Sequence, residues 1–185
     1  MPTMDEHAAS SLAAAKNERV EIAAYDPRWA EQFAAERQRL LDLFPGKLLG
    51  IEHIGSTAVA GLAAKPIVDM LGGVESMCLA DEILPRLCEE GYATSAEFNT
   101  TLGERRWLMR HQNGRRTHHL HLVIHDGIEW RKRIKFRDAL RADRELAVRY
   151  EALKRDLAAR FAQDRDKYTD GKGKFIDGVV GMFQL

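Results

Sequence analysis

With 185 residues, 45% of them hydrophobic and 30% charged, the chain is long and apolar enough to bury a core unaided, which excludes disorder as its main state. Its 28 Lys and Arg balance 28 Asp and Glu, so no overall field draws it onto nucleic acid or a membrane. The balance is uneven along the chain: from Glu104 to Arg144 twelve Lys or Arg stand against five Asp or Glu, and five of the seven His fall there too. Phosphate is the natural ligand for such a region, although solvated helix and hairpin faces account for the same charges.

Cys78 and Cys88 stand ten apart within one helical pattern and form no CxxC pair, which suits reduced thiols. No apolar run approaches a membrane span, and no basic stretch leads into an apolar one near Met1. The expected setting is therefore cytoplasmic, without membrane or nucleic-acid partners. Met1 to Glu18, rich in Ala and Ser, read as a loosely held extension with one helical turn in its Ala run, and residues 19–185 as one domain.

Asp26-Pro27 reads as a helix start, and Trp29, Phe33, Leu40 and Phe44 continue it as an amphipathic stripe to Pro45-Gly46. Leu48 to Ile54 and Pro66 to Val74 are short apolar runs either side of a loop, the pattern of two buried strands. Leu79, Ile83, Leu84 and Leu87 mark a second helix, closed by Gly91. Arg105 to His111 and Arg116 to Ile124 flank Gln112-Asn113-Gly114, and Asn-Gly is the strongest short-range hairpin signal. Ile128 to about Arg141, Arg144 to about Asp164, and Lys174 to Phe183 read as helices. This order predicts an α+β fold: a mixed or antiparallel sheet backed by helices on one face, with C-terminal helices.

Candidate chemistry lies at strand ends and loops. Gly55-Ser56-Thr57 turns the backbone off a strand and aims hydroxyl and amide groups at an anion, or is a plain turn. Asp69 lies amid apolar neighbours within the next strand, where an unpaired charge needs a cation or hydrogen-bond donors. His119 and His121 are two apart on a strand, so both imidazoles point to one face and His118, Leu120 and Leu122 to the other. The pair either joins Asp69 in ligating a metal or hydrogen-bonds to it. Lys65, Arg133, Arg137 and Lys172 are candidate phosphate partners, each equally at home as a solvated residue. Trp107 and Trp130 stack on a base or fill core, with core the better reading.

Several ordered motifs resemble the GrpB family (UPF0157): Tyr25-Asp26-Pro27-Arg28-Trp29, His53-Ile54-Gly55-Ser56-Thr57, Gly61-Leu62, Lys65-Pro66-Ile67-Val68-Asp69, His119-Leu120-His121-Leu122, Phe136-Arg137-Asp138 and Phe175-Ile176. The resemblance runs from about Val20 to the C-terminus and implies a fold similar to the nucleotidyltransferase superfamily. In that superfamily a Gly-Ser pair precedes, by about a dozen residues, an Asp-x-Asp or Asp-x-Glu, and a later strand adds a third carboxylate. Together these hold divalent metals on a nucleoside triphosphate. Here Ser56 and Asp69 keep the spacing, with twelve residues between them, but Leu71 stands where the second carboxylate belongs, and Ala60 where a loop proline is expected. A hydrocarbon ligates no Mg²⁺. His119 and His121 with Asp69 would replace the lost carboxylates by a site suited to Zn²⁺, Mn²⁺ or Fe²⁺ better than Mg²⁺.

The function implied is a metal-dependent nucleotidyltransferase-like enzyme acting on an NTP or related phosphate compound with a small-molecule acceptor. Asp69, His119 and His121 would be catalytic groups and ligands of a divalent metal (Mg, Mn or Zn). His53, Gly55, Ser56, Thr57, Lys65, Arg133, Arg137 and Lys172 would bind phosphate or substrate. Two alternatives stay open: a non-catalytic nucleotide-binding module, and a metal-dependent hydrolase or other transferase reusing the site.

Overall fold

The computed structural model describes residues 19–112 and 115–182. The expected extension from Met1 to Glu18, the Asn113-Gly114 turn and Phe183 lie outside the described residues.

Helix starts follow the capping chemistry. Helix α1 (Arg28–Leu43) begins behind Pro27, where Asp26 accepts the Arg28 amide at 2.9 Å. Strands β1 (Gly50–Ile54) and β2 (Val68–Val74) flank the Gly55 loop. Helix α2 (Met77–Glu89) is capped by Ser76, whose hydroxyl accepts the Leu79 amide. It ends at Gly91, whose φ of +92° suits glycine. A two-residue strand β3 (Tyr92–Ala93) and a short helix α3 (Ala96–Thr100) follow, then the hairpin strands β4 (Arg105–Gln112) and β5 (Arg115–Ile124). Helices α4 (Ile128–Ala142), α5 (Arg144–Arg160), α6 (Arg165–Asp170) and α7 (Gly173–Gly181) complete the fold. Asp143 separates α4 from α5 by accepting the Leu146 amide at 2.9 Å.

The sheet has the order β1-β2-β5-β4-β3, antiparallel except for the parallel β2 and β5 pair at its centre. Strand parity divides the two faces. Val68, Met70, Leu120 and Leu122 join Leu40 of α1 and Ile83 of α2 in the main core. On the other face Leu71 and Val123 pack with Trp130 and Ile134 of α4, so Trp130 fills core as expected. A separate apolar cluster ties α4 to α5 and α7 through Phe136, Tyr150 and Val179.

The sheet is therefore covered on both faces, not on one. The charged helix α4 turns Phe136, Ala139 and Leu140 inward. The short elements β3, α3 and α6 also differ from the expected pattern, because two to six residues carry too little periodicity to register. Both cysteines are free, and among the described residues no helix is long and apolar enough to cross a membrane.

Candidate functional site

The site grows out of one register. Asp69 lies opposite Ile54 on β1 and beside His119 on β5, so side-chain parity brings a carboxylate and an imidazole to the same face. His119 Nδ1 and Asp69 Oδ1 are 2.9 Å apart. Burial opposes the Asp69 charge, but the His119 hydrogen bond and the charge of Lys172 outweigh it and hold the carboxyl below its usual pKa. Burial lowers the His119 pKa against the pull of Asp69, so the imidazole is neutral beside an ionised carboxylate. An ionised carboxylate can only accept. Nδ1 therefore donates, and the lone pair lies on Nε2, which faces Arg116 Nη1 at 3.5 Å.

Gly55 closes this corner. Its φ is +71°, and a Cβ there would stand 2.6 Å from Asp69 Oδ2, so any other residue would both strain the turn and push the carboxylate away. Ser56 and Thr57 follow in one turn of 3₁₀ helix (Ser56–Ala58). The Ser56 side chain shares a hydrogen bond with Tyr150 of α5.

His121 shares the face but stands beside Leu71 rather than Asp69. Its Nδ1 is buried without a hydrogen-bond partner among the described residues. Burial, then the charges of Arg133 and Arg105, push its pKa far down. Among the described residues no group of three His, Cys, Asp or Glu could hold a metal ion. Asp69 and His119 are satisfied by each other and His121 is set one step along the strand, so this donor set does not fit the resident three-ligand ion expected from strand parity.

Between this floor and helices α4 to α7 lies a cavity of about 480 Å³. Seven of the side chains around it are Lys or Arg and three are Asp or Glu. Two of those carboxylates are already paired, Asp177 with Lys132 at 2.9 Å and Glu129 with Arg133 at 3.2 Å. The expected residues Gly55, Ser56, Thr57, Lys65, Asp69, His119, His121, Arg133 and Lys172 all border the cavity. Lys172 stands 4.4 Å from the Tyr168 ring centre, and burial lowers its pKa.

Two expected phosphate partners lie elsewhere. His53 is opposite Met70, on the α1 side of the sheet, where it stacks on Phe33 with ring centres 4.7 Å apart and meets Thr57 Oγ1 at 3.0 Å. Burial drops its pKa to about 4, so it is a neutral brace for the turn. Arg137 is spent on Glu52 at 2.6 Å, Asp138 at 2.7 Å and the His53 carbonyl at 3.1 Å. It ties α4 to β1 and leaves no fork for a phosphate.

The cavity also recruits residues that the sequence reading passed over. Lys154 is almost fully buried, donates to the Ala63 carbonyl and has its pKa lowered by burial to about 7. A signal for it existed: Leu146, Tyr150, Lys154 and Leu157 form one helical stripe, and a Lys within such a stripe is a buried amine. Arg165 lies 5.2 Å from the centre of Trp107, which in turn is 5.4 Å from His119. Trp107 is thus buried but walls the cavity, more than core filling. Arg105, half buried, has its pKa lowered to about 10 by burial and then by Arg133. Arg105 and Arg165 carried no local signal because their elements meet only in the folded chain.

A family model described as GrpB protein matches residues 19–181. The UPF0157 protein YqkA of Bacillus subtilis is 35% identical over 158 residues, which are 85% of this chain and 45% of that protein; the chain thus spans less than half of that relative's length. The glutamate-rich protein GrpB of Alkalihalophilus pseudofirmus is 32% identical over 86% of this chain and 92% of its own. The crystal structure of the conserved protein GrpB from Enterococcus faecalis matches with a TM-score of 0.78 and 36% identity, covering 88% of this chain and 96% of that one.

Proposed function

The chain belongs to the GrpB family, and from that premise and the polarity of its cavity we propose that it is a nucleotidyltransferase-like enzyme that moves a nucleotidyl group from an NTP, or a related group from a similar phosphate compound, to a small-molecule acceptor. The observation that carries this reading is the Asp69 and His119 pair, 2.9 Å apart, on the floor of a cavity whose cations outnumber its carboxylates. Lys65, Arg165 and Lys172 offset the phosphate charge, and Ser56 contacts a phosphate oxygen at the turn. His119 Nε2 exchanges its long contact with Arg116 Nη1 for the acceptor hydroxyl and takes its proton, while Asp69 holds the ring and stabilises the imidazolium. The acceptor oxygen bonds to the α-phosphorus, the bond from phosphorus to the bridging oxygen breaks, and pyrophosphate leaves. A divalent cation belongs to this reading as part of the substrate, carried on the phosphates, since Mg²⁺ commonly takes one protein carboxylate with substrate oxygens and water.

Titration calorimetry with Mg²⁺ complexes of the four NTPs tests binding, and pyrophosphate release with a panel of hydroxyl and amine acceptors tests transfer. Binding of one NTP is expected, with release falling a hundredfold or more in Asp69→Asn at an unchanged melting temperature. No heat with any NTP, NDP or pyrophosphate overturns the nucleotide reading. A second reading, a nucleotide-binding module without turnover, is favoured by Leu71, which leaves Asp69 the sole carboxylate of the superfamily motif; binding without release under every acceptor would establish it.

A further inference from the structure

Two residues farther along β5 from the His119 pair, and so farther from the Gly55 turn, the cavity changes character. His121 and, across the hairpin, Trp107 and Arg105 face it from the sheet, and Arg133 and Glu129 reach it from α4. Among the described residues two polar atoms there are buried without a partner: His121 Nδ1 and Arg133 Nε. His121 is only 8% exposed. Buried polar atoms in folded proteins almost always find partners; Arg133 Nε can only donate and calls for an acceptor, which the Nδ1–H tautomer of His121 would share. Glu129 does not supply it, because its carboxylate is paired with Arg133 Nη2, leaving Nε unmatched.

We propose that this end of the cavity is a second anion subsite, in which Arg105, His121 and Arg133 hold a carboxylate or phosphate group of the acceptor molecule. The inference rests on the transferase reading above and names the acceptor's chemistry: a small hydroxyl or amine compound that carries its own compact anion. Such a group would accept from Arg133 Nε and His121 Nδ1 at once and lie against the Arg105 guanidinium, so each orphan gains its partner. The electrostatics agree. Burial and Arg133 both work against the Arg105 charge, and Arg133 and Arg105 both work against protonation of His121, so an anion there would offset like charges held close together. Placed there, the anion anchors the acceptor one strand step from His119, with its nucleophile toward the Nε2 that would take the proton.

The test is calorimetric titration of the full chain with inorganic phosphate and with acetate, each with and without saturating Mg·ATP. At least one anion should bind wild type whether or not Mg·ATP is present, and the tighter one names the acceptor's group. Arg105→Gln and Arg133→Gln should each weaken that anion tenfold or more while changing Mg·ATP affinity less than threefold. Ligand-free Arg105→Gln should melt no lower than wild type, because it removes a largely buried charge whose burial and repulsion by Arg133 outweigh the pull of Glu129. Absence of binding by both anions, wild-type affinity in both variants, or displacement of the anion by Mg·ATP would overturn the proposal. A drop of several degrees in the melting temperature of Arg105→Gln would do so as well, by making Arg105 a structural residue. If Mg·ATP itself produces no heat, the nucleotide reading fails while the anion titrations of wild type and variants still decide this one.

Discussion

On the α1 and α2 side of the sheet, β2 and β5 present Val68, Met70, Leu120 and Leu122, none with any exposed surface; on the other side the alternate residues of the same strands include Asp69, His119 and His121, with Leu71 and Val123 the apolar exceptions. The two faces share every backbone hydrogen bond, so what differs is what each asks of its side chains. The helix side gains free energy in proportion to apolar area removed from water. The cavity side gives some of that gain up and keeps polar groups in place by pairing them (Asp69 with His119) or leaves them orphaned (His121). One central strand pair thus supplies both the stability of the fold and the floor of its site, and strand parity keeps the two roles apart.

If that division is right, damage should differ by face. Leu120→Ala, on the helix side, should lower the unfolding free energy by about 2–5 kcal/mol in urea denaturation, whereas His121→Ala, its neighbour on the cavity side, should change it by less than ~1 kcal/mol. Equal losses would show that both faces are core.

Acid should weaken both faces together. Burial lowers the pKa values of His53, His118, His119 and His121, whereas the unfolded chain protonates its imidazoles near their ordinary value. Below that value the unfolded state binds more protons, so stability is fully present above about pH 6.5 and is lost as pH falls toward the folded values. His53, lowered to about 4, should account for a loss on the order of 3 kcal/mol once it is protonated. Urea midpoints at neutral and acid pH, repeated on His53→Gln, would measure this; an unchanged acid slope in the variant would remove His53 from the account.

Gly55→Ala should cost about 1–3 kcal/mol through its left-handed backbone, and the contact with Asp69 Oδ2 predicts a second effect, a shifted His119 resonance in NMR. Loss of stability without that shift would mean the turn is strained but does not support the pair. The smallest stability change belongs to Asp69→Asn, within ~1 kcal/mol, since the side chain is partly open to solvent (32% exposed) and the amide keeps its shape. A larger loss would move Asp69 from the site to the scaffold.

Much of the fold was legible in the sequence because local physics wrote it there. Asp26 before Pro27 meets a free amide that begins a helix. Gly91 takes a backbone angle that other residues avoid. The Gln112 and Arg115 pair stands on either side of the Asn-Gly step, as a two-residue hairpin demands. The shared face of His119 and His121 followed from period two alone. Where the reading fell short, the missing fact was tertiary: α4 is too polar to announce that it covers a sheet face, and His53 and Arg137 sit within motif residues yet point to partners on the other side of the strand or across to β1.

Period, caps and turn residues depend on neighbours a few positions away, so the sequence by itself determined four of the described strands, most of the helices and the shared face of His119 and His121. Tertiary structure decided what meets them there. Parity says that two His share a face but not which of them faces Asp69; the parallel β2 and β5 register does, setting His119 against the carboxylate and His121 against Leu71. Likewise the cations Arg105, Arg133, Lys154 and Arg165 come from four elements spread over sixty-one positions of the chain. Their convergence on one cavity is fixed by how α4, α5 and α6 pack over the sheet, because burying the apolar stripes of those helices carries their charged residues with them.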